Sequence, residues 1–150
     1  MKRQIKKVGD LLLIPLPNEH FSVGLVLKEK TISILDFYEN RIPSGEEILY
    51  LQEIFHLVIY DNELNSVRWI RIDLGLNNHD YDLSEPYFIH RDTIFRDKFQ
   101  IYRNGEGFIL NPFDSLPDLE PLLVWNIEGV EKRIIDYFEG RPNKTLEHYK

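Results

Sequence analysis

The amino-acid sequence predicts an α+β protein: a mostly antiparallel, strongly curled β-sheet with a small-barrel-like N-terminal meander, followed by a C-terminal α-helix. Three observations lead to this fold class. Short apolar or alternating runs separated by turn residues fill the first third of the chain. An Asn-Gly pair at 104–105 divides a later alternating stretch, and the apolar spacing becomes helical after residue 126.

The N-terminal third predicts three strands, over residues 11–16, 21–28 and 31–38. Their connections are short, so an antiparallel meander is the simplest arrangement. Pro15 has no amide proton to donate to a neighbouring strand, which predicts a place at a sheet edge or bulge. Gly24, inside the second apolar run, predicts a sharp bend of the kind found in small curled sheets.

The middle of the chain predicts a short helix, then a strand over about residues 54–60, then a helical turn or loop at 61–66. Trp69 and Trp125 each sit in an apolar alternating run, which favours core packing over a binding role. Residues 87–92 add a strand. The Asn-Gly pair at 104–105 predicts a hairpin, because both residues tolerate positive φ.

The C-terminal helix is predicted from its spacing and from both of its ends. Asn126 is a suitable N-cap and Gly140 a suitable stop. The apolar residues on one helical face are Val130, Ile134, Tyr137 and Phe138. The chain has no repeat and no linker, which predicts one domain over 1–150 with a core of about 6–140 and a mobile tail at 141–150.

Charge is the most informative feature of the composition. The net charge is −7, from 18 basic and 25 acidic residues. Four basic residues lie in the first seven positions, so the remainder carries 14 basic against 25 acidic residues, a balance of −11. Such a surface repels nucleic acid and attracts a basic protein.

Two long windows, residues 72–90 and 104–131, contain no Lys or Arg. Exposed carboxylates in these windows are the best sequence-based candidates for contact with a basic partner. The predicted partner-binding residues are Asp80, Asp82, Glu85, Asp114, Asp118 and Glu120. An ordinary solvated acidic face is the competing interpretation of the same residues.

The remaining composition excludes several classes of protein. There is no cysteine, so disulfides, thiolate metal sites and cysteine nucleophiles are excluded. The apolar run near the N-terminus is too short for a signal peptide, and no run is long enough to span a membrane. We therefore expect a cytoplasmic protein without membrane contact. The sequence leaves its oligomeric state open.

The sequence contains no complete catalytic or cofactor motif. His90, Arg91 and Asp92 match the start of a kinase catalytic loop, but Asp97 occupies the position of its metal-binding Asn. The acidic stretch at 79–85 lacks the ligand spacing and glycine of a calcium loop. The five histidines form no zinc motif, and no serine-nucleophile elbow occurs. We therefore expect no catalytic residues, cofactor or metal.

The order of short motifs resembles the Immunity protein 26 family of bacterial polymorphic-toxin systems, over about residues 6 to 140. The shared elements are an opening strand, a glycine-containing strand, an aromatic strand end, a tryptophan strand, a proline before an aromatic strand, and a strand leading into the last helix. Their residues are Gly9, Asp10, Ile14, Pro15 and Leu16; Gly24, Val26 and Leu27; Asp36, Phe37 and Tyr38; Trp69; Pro86, Tyr87 and Phe88; 119–125; and Val130, Arg133 and Ile134.

The resemblance implies a non-enzymatic immunity protein that binds and neutralises a cognate toxin, and the charge suggests a basic toxin such as a nuclease. Two alternatives stay open. The opening strands also resemble those of small-barrel endoribonuclease toxins, although such an enzyme needs a basic face for RNA. A generic protein-interaction module fits the composition equally well.

Overall fold

The computed structural model describes residues 5–72, 87–91, 99–103, 106–109 and 119–149. Within these ranges the chain forms nine strands and four helices. The strands are β1 Leu11–Pro15, β2 Phe21–Val26, β3 Thr31–Leu35, β4 Glu53–Ile59, β5 Ile70–Ile72, β6 Phe88–Arg91, β7 Phe99–Arg103, β8 Glu106–Ile109 and β9 Val124–Trp125. The helices are α1 Gly45–Ile48, α2 Asp61–Leu64, α3 Ile127–Phe138 and α4 Lys144–Tyr149.

The main sheet has six strands in the order β5-β1-β2-β3-β4-β9. Strands β1 to β3 form the predicted antiparallel meander, β4 continues it antiparallel to β3, and β5 adds antiparallel to β1. Strand β9 pairs with β4 in parallel. Strands β6, β7 and β8 form a second antiparallel sheet. A bridge between Ile89 and Pro121 joins it to the segment that precedes β9. The expected α+β class with a mostly antiparallel sheet and a C-terminal helix is confirmed, and in the described ranges neither sheet closes on itself.

Both faces of the main sheet are buried, which explains why its strands read as continuous apolar runs. One face packs against α3, because Ile14, Ile34 and Leu57 share a single core cluster with Val130 and Ile134. The opposite face forms a second cluster. Its fully buried members are Leu11, Val23, Leu25, Leu27, Leu35, Phe37 and Ile48 of α1.

Pro15 lies at a free strand edge, as predicted from its missing amide proton. It pairs with Phe21 of β2, whereas β5 pairs only with Leu11 to Leu13. On the β5 side, the end of β1 therefore has no strand partner among the described residues. The missing amide proton of Pro15 breaks no ladder there.

Gly24 serves close packing rather than the sharp bend that we expected. It pairs regularly with Leu12 and Ile34, and the register shift of the meander lies between Ile34 and Leu35 instead. A Cβ atom on Gly24 would lie 2.5 Å from Cδ1 of Ile32 and 3.2 Å from Cδ1 of Ile14. The glycine lets these two side chains cross the strand.

The predicted ends of α3 are confirmed. The Asn126 side chain accepts a hydrogen bond from the Gly129 amide at 2.7 Å, and Gly140 adopts a φ of 69° just beyond the helix. Both tryptophans are core residues, Trp69 at 0% and Trp125 at 4% exposure. Arg103 pairs with Glu106, so the predicted hairpin exists, although residues 104–105 themselves lie outside the described ranges.

The segment at 141–150, whose mobility stays a prediction, contains a short helix with contacts to α3. Residues 144–149 form α4, and Leu146 contacts the core beneath α3. Asn143 is buried and donates a hydrogen bond to Oδ2 of Asp136 at 3.0 Å, while its own side-chain oxygen accepts from the amides of Thr145 and Leu146. This asparagine therefore joins α4 to α3.

None of the helices in the described ranges could span a membrane, and the longest, α3, has 12 residues.

Candidate functional site

A group of aromatic rings assembles where three distant segments meet. His20 precedes β2, Tyr38 follows β3, and Phe138 ends α3. Backbone hydrogen bonds between Phe21 and Glu39, of 2.7 and 3.3 Å, hold the first two segments side by side. The last turn of α3 then brings Phe138 over Tyr38.

The rings stack in a defined order. The centroids of His20 and Tyr38 are 4.3 Å apart with planes 15° apart, and those of Tyr38 and Phe138 are 4.9 Å apart with planes 5° apart. Tyr137 meets Phe138 edge to face at 5.2 Å and meets Phe55 of β4 at 5.4 Å. These five rings are called the aromatic ladder below. Their separations match those of favourable aromatic pairs.

Hydrogen bonds fix the end of the aromatic ladder that holds His20 and Tyr38, called its upper end below. The Tyr38 hydroxyl donates to Oε1 of Glu139 at 2.7 Å and accepts from Nδ2 of Asn18 at 2.6 Å. Burial, together with the bond to Glu139, raises the pKa of Tyr38 above its usual value, so the phenol stays protonated. Nδ1 of His20 lies 3.2 Å from the carbonyl oxygen of Asn18. A carbonyl only accepts, so we assign a proton to Nδ1.

Three exposed glutamates follow or precede ladder residues in the chain: Glu19, Glu39 and Glu139, called the acidic rim below. Glu19 is next to His20 at the tip of the β1–β2 turn, with a φ of 67°. Glu39 follows Tyr38 directly. Within the described part of the chain, none of the three forms an ion pair. Arg41, whose pKa is raised first by its bond to Glu47, also lies near enough to feel the charge of Glu39, so the negative charge of the rim is partly balanced.

The lower end of the aromatic ladder holds Arg133 of α3, which is only 8% exposed. Its guanidinium carbon lies 4.3 Å from the centroid of Phe55, and its Nη2 donates to Oε1 of Glu120 at 2.8 Å. Glu120 is thus the described member of the predicted partner-binding set. Its charge is opposed by Arg133, so it adds less to the outward field than a free carboxylate would.

The other predicted partner-binding residues are Asp80, Asp82, Glu85, Asp114 and Asp118, which all lie outside the described residues. The structure therefore does not bring them together or separate them.

Two buried carboxylates on α3 serve the fold. Glu131, 2% exposed, accepts from Nε1 of Trp69 at 3.1 Å and pairs with Arg68. Burial raises the pKa of Glu131 despite both partners. Asp136, 1% exposed, accepts from Asn143 and from Nζ of Lys132 at 2.6 Å. Each carboxylate ties α3 to another segment.

A serine, a histidine and a glutamate also lie near one another on β3 and β4. Ser33 faces His56 across the two strands, and Nε2 of His56 is 3.8 Å from Oε2 of Glu53. Burial lowers the pKa of His56 although Glu53 opposes the shift. The Ser33 residue is 0% exposed, so a substrate has no access to its hydroxyl. We do not regard this trio as a catalytic site. In the described ranges, no group of three His, Asp or Glu side chains is placed to hold a metal ion.

The aromatic ladder was not predicted from the sequence. Tyr38 and Phe138 were assigned to a strand end and to a helix face, and His20 to a turn. They are contacts over a long sequence separation, which periodicity cannot indicate. The acidic residues next to them, in "NEHF", "DFYEN" and "DYFEG", are the one local signal that would have pointed to this site.

Searches with the sequence and the structure find no matching family model, no similar curated protein and no similar solved structure. The fold and the site define an acidic α+β protein with a rigid aromatic surface at one end of its main sheet.

Proposed function

We propose that the protein is a non-enzymatic immunity protein, which binds and neutralises a cognate toxin delivered between competing bacteria. The observation that carries the proposal is the charge balance of −11 beyond residue 7. A protein with this field attracts a basic toxin domain, such as a nuclease, and accelerates the encounter. The resemblance of the motif order to the Immunity protein 26 family suggests the class.

The aromatic ladder supports the same proposal. Interfaces between proteins depend on a few large side chains, with tyrosine prominent among them. Tyr137 is 46% exposed and is held by ring contacts on two sides. A rigid, half-exposed tyrosine loses little conformational freedom on binding, so it is a suitable anchor. The acidic rim beside it matches a basic partner.

The proposal also covers the residues of the two acidic windows and the cellular compartment in which the protein acts. We propose that Asp80, Asp82, Glu85, Asp114, Asp118 and Glu120 contact the toxin, and Arg133 holds Glu120 through a hydrogen bond. The protein acts in the cytoplasm of the toxin producer and its kin, where it needs no cofactor. The curled, small-barrel-like form expected for the meander belongs to this proposal, as the scaffold that presents the surface.

The first experiment identifies the partner and tests protection. Tagged protein is incubated with lysate of the source bacterium expressing its secreted toxins, and bound proteins are identified by mass spectrometry. The captured toxin domain is then expressed in a susceptible host with and without this protein. We expect a stoichiometric complex with a basic toxin domain and restored growth. A toxin that remains lethal with this protein bound would refute neutralisation.

The second experiment tests the electrostatic part. Asp80→Lys, Asp82→Lys and Asp118→Lys are combined, and Glu46→Lys, an exposed change on α1, is the control. Because steering by charge raises association rates by about 10-fold to 1,000-fold, the triple variant should associate at least about tenfold more slowly, with a weaker salt dependence. Unchanged affinity and salt dependence would show that these residues lie outside the interface.

The competing ribonuclease function requires a surface that binds RNA. RNA carries a negative charge on each phosphate, which the acidic rim opposes. Cleavage of RNA by the purified protein would overturn the immunity proposal.

A further inference from the structure

Two buried hydroxyl groups without a hydrogen-bond partner lie on β3, on one face of the main sheet. They belong to Thr31 and Ser33, and both residues are 0% exposed. The two residues are two positions apart on one strand, so their side chains share a face with Leu25, the partner of Ser33 on β2. A buried hydroxyl that makes no hydrogen bond destabilises the folded state, so each one calls for an explanation.

The register of β3 and β4 brings the side chain of Ser33 close to that of His56. The two residues are direct partners in the antiparallel ladder. The Ile59 amide donates to the Lys30 carbonyl, which makes that pair, and every second pair from it, a hydrogen-bonded one. Ser33 and His56 therefore form a non-hydrogen-bonded pair. Side chains approach most closely in such pairs, with Cβ atoms about 4.5–5.5 Å apart.

The His56 ring offers polar atoms at this place. Its Nε2 is 3.8 Å from Oε2 of Glu53, which is longer than a hydrogen bond, and no hydrogen bond joins the ring to the Ser33 hydroxyl. The His56 side chain is 30% exposed, so the pair lies where the buried face of the sheet meets solvent. A hydroxyl both donates and accepts, and each nitrogen of a neutral imidazole does one or the other. One small molecule with a donor and an acceptor therefore suits both side chains.

We propose that Ser33 and His56 bind one internal water molecule between β3 and β4. The water bonds the Ser33 hydroxyl and a ring nitrogen of His56. Internal waters characteristically bond buried groups that the protein leaves unsatisfied, and a gap between polar atoms longer than a hydrogen bond is a common place for one. A larger ligand does not fit, because Ser33 is completely buried and the strands stay paired on both sides of it. This site is independent of the proposed immunity function.

The first test is a crystal structure of the full chain at a resolution that shows ordered water. We expect one water peak at hydrogen-bond distance, about 2.5–3.2 Å, from both Oγ of Ser33 and a ring nitrogen of His56. A direct hydrogen bond between the two side chains, or no peak between them, would overturn the proposal.

Urea denaturation gives an independent test, with Thr31 as the matched control. Thr31 lies on the same face and is equally buried, but its partner on β4 is Val58 instead of a histidine. Ser33→Ala removes a hydroxyl that the water satisfies, so it should raise the unfolding equilibrium constant about twofold to tenfold. Thr31→Val replaces an unsatisfied hydroxyl by a methyl group, so it should lower that constant about fivefold or more.

The same two substitutions in a His56→Phe background complete the test. Phenylalanine keeps a ring at this position and removes both nitrogens, so the water loses one of its partners. Ser33→Ala should then become stabilising, whereas the effect of Thr31→Val should not change. An effect of Ser33→Ala that is equal in both backgrounds would overturn the site. If His56→Phe does not fold, the parent background decides, because changes of the same sign for Ser33→Ala and Thr31→Val would also overturn it.

Discussion

Replacement of Gly24 by alanine should destabilise the protein through one identifiable clash. The new Cβ would lie 2.5 Å from Cδ1 of Ile32, about 1 Å closer than carbon atoms in ordinary contact. Ile32 is 0% exposed, so its Cδ1 can move aside only by displacing its neighbours in the core. Overpacking of this kind costs about 1–3 kcal/mol, and the lower chain entropy of alanine in the unfolded state returns about 0.4–1 kcal/mol. We expect a net loss of about 1–2 kcal/mol.

The assay is urea denaturation of the parent, of Gly24→Ala, of Ile32→Val and of the double variant. Ile32→Val removes Cδ1, the clashing atom, and alone should cost about 0.5–1.5 kcal/mol. In that background Gly24→Ala should cost close to nothing, because the next contacts, at 3.1 and 3.2 Å, need only small adjustments. The coupling energy should therefore reach about 1 kcal/mol. An equal cost of Gly24→Ala in both backgrounds would refute this account of the glycine.

Three further predictions concern carboxylates. The carboxyl of Glu47 should titrate with a pKa of about 2, because Arg41 and then Ser44 bind its anion; carbon-detected NMR should show this pKa rising toward 4.5 in Arg41→Ala. Asp136→Ala leaves buried Asn143 without its acceptor and should cost about 1–3 kcal/mol in urea denaturation. Lys132→Ala, whose side chain is 60% exposed, should cost about 0.5 kcal/mol at most. For Glu131, whose pKa is raised chiefly by burial, the anion is disfavoured in the folded state. Its contribution to stability is therefore neutral below the ordinary value of 4.5 and becomes unfavourable as pH rises through the raised pKa, so Glu131→Gln should gain stability relative to the parent over that range.

Each of these three has an outcome that would contradict it. A parent Glu47 that titrates near 4.5 would mean that Arg41 does not hold it in solution. Equal losses for Asp136→Ala and Lys132→Ala would mean that Asn143 does not depend on Asp136. A stability difference between Glu131→Gln and the parent that is independent of pH would show that burial does not shift this group.

Local signals account for the parts of the fold that the sequence predicted. The ends of α3 follow from Asn126 and Gly140, whose effects act within one turn. The meander follows from apolar runs joined by connections too short for any other pairing. Both kinds of signal lie within a few residues of the element that they define.

The parts that were missed depend on contacts between distant residues. Strand β9 was expected from its apolar run, but its parallel pairing was not, because its partner β4 lies far upstream and no local pattern indicates that pairing. The contacts of the C-terminal segment are also of this kind, because Asn143 and the Arg141 amide bond Asp136 and Leu146 packs against the core. The aromatic ladder joins Tyr38 to a glutamate 101 positions away.

The parallel pairing of β9 with β4 has a consequence for biosynthesis. Val58 pairs with Val124, so β4 leaves the ribosome 66 residues before the strand that covers its outer edge. At a synthesis rate of about 5–20 residues per second, that edge of the meander stays unpaired for roughly 3–13 s. An open strand edge is a template for pairing with other chains. Nascent protein should therefore depend on chaperones during this interval, and slower translation of the segment after β4 should lower the yield of folded protein.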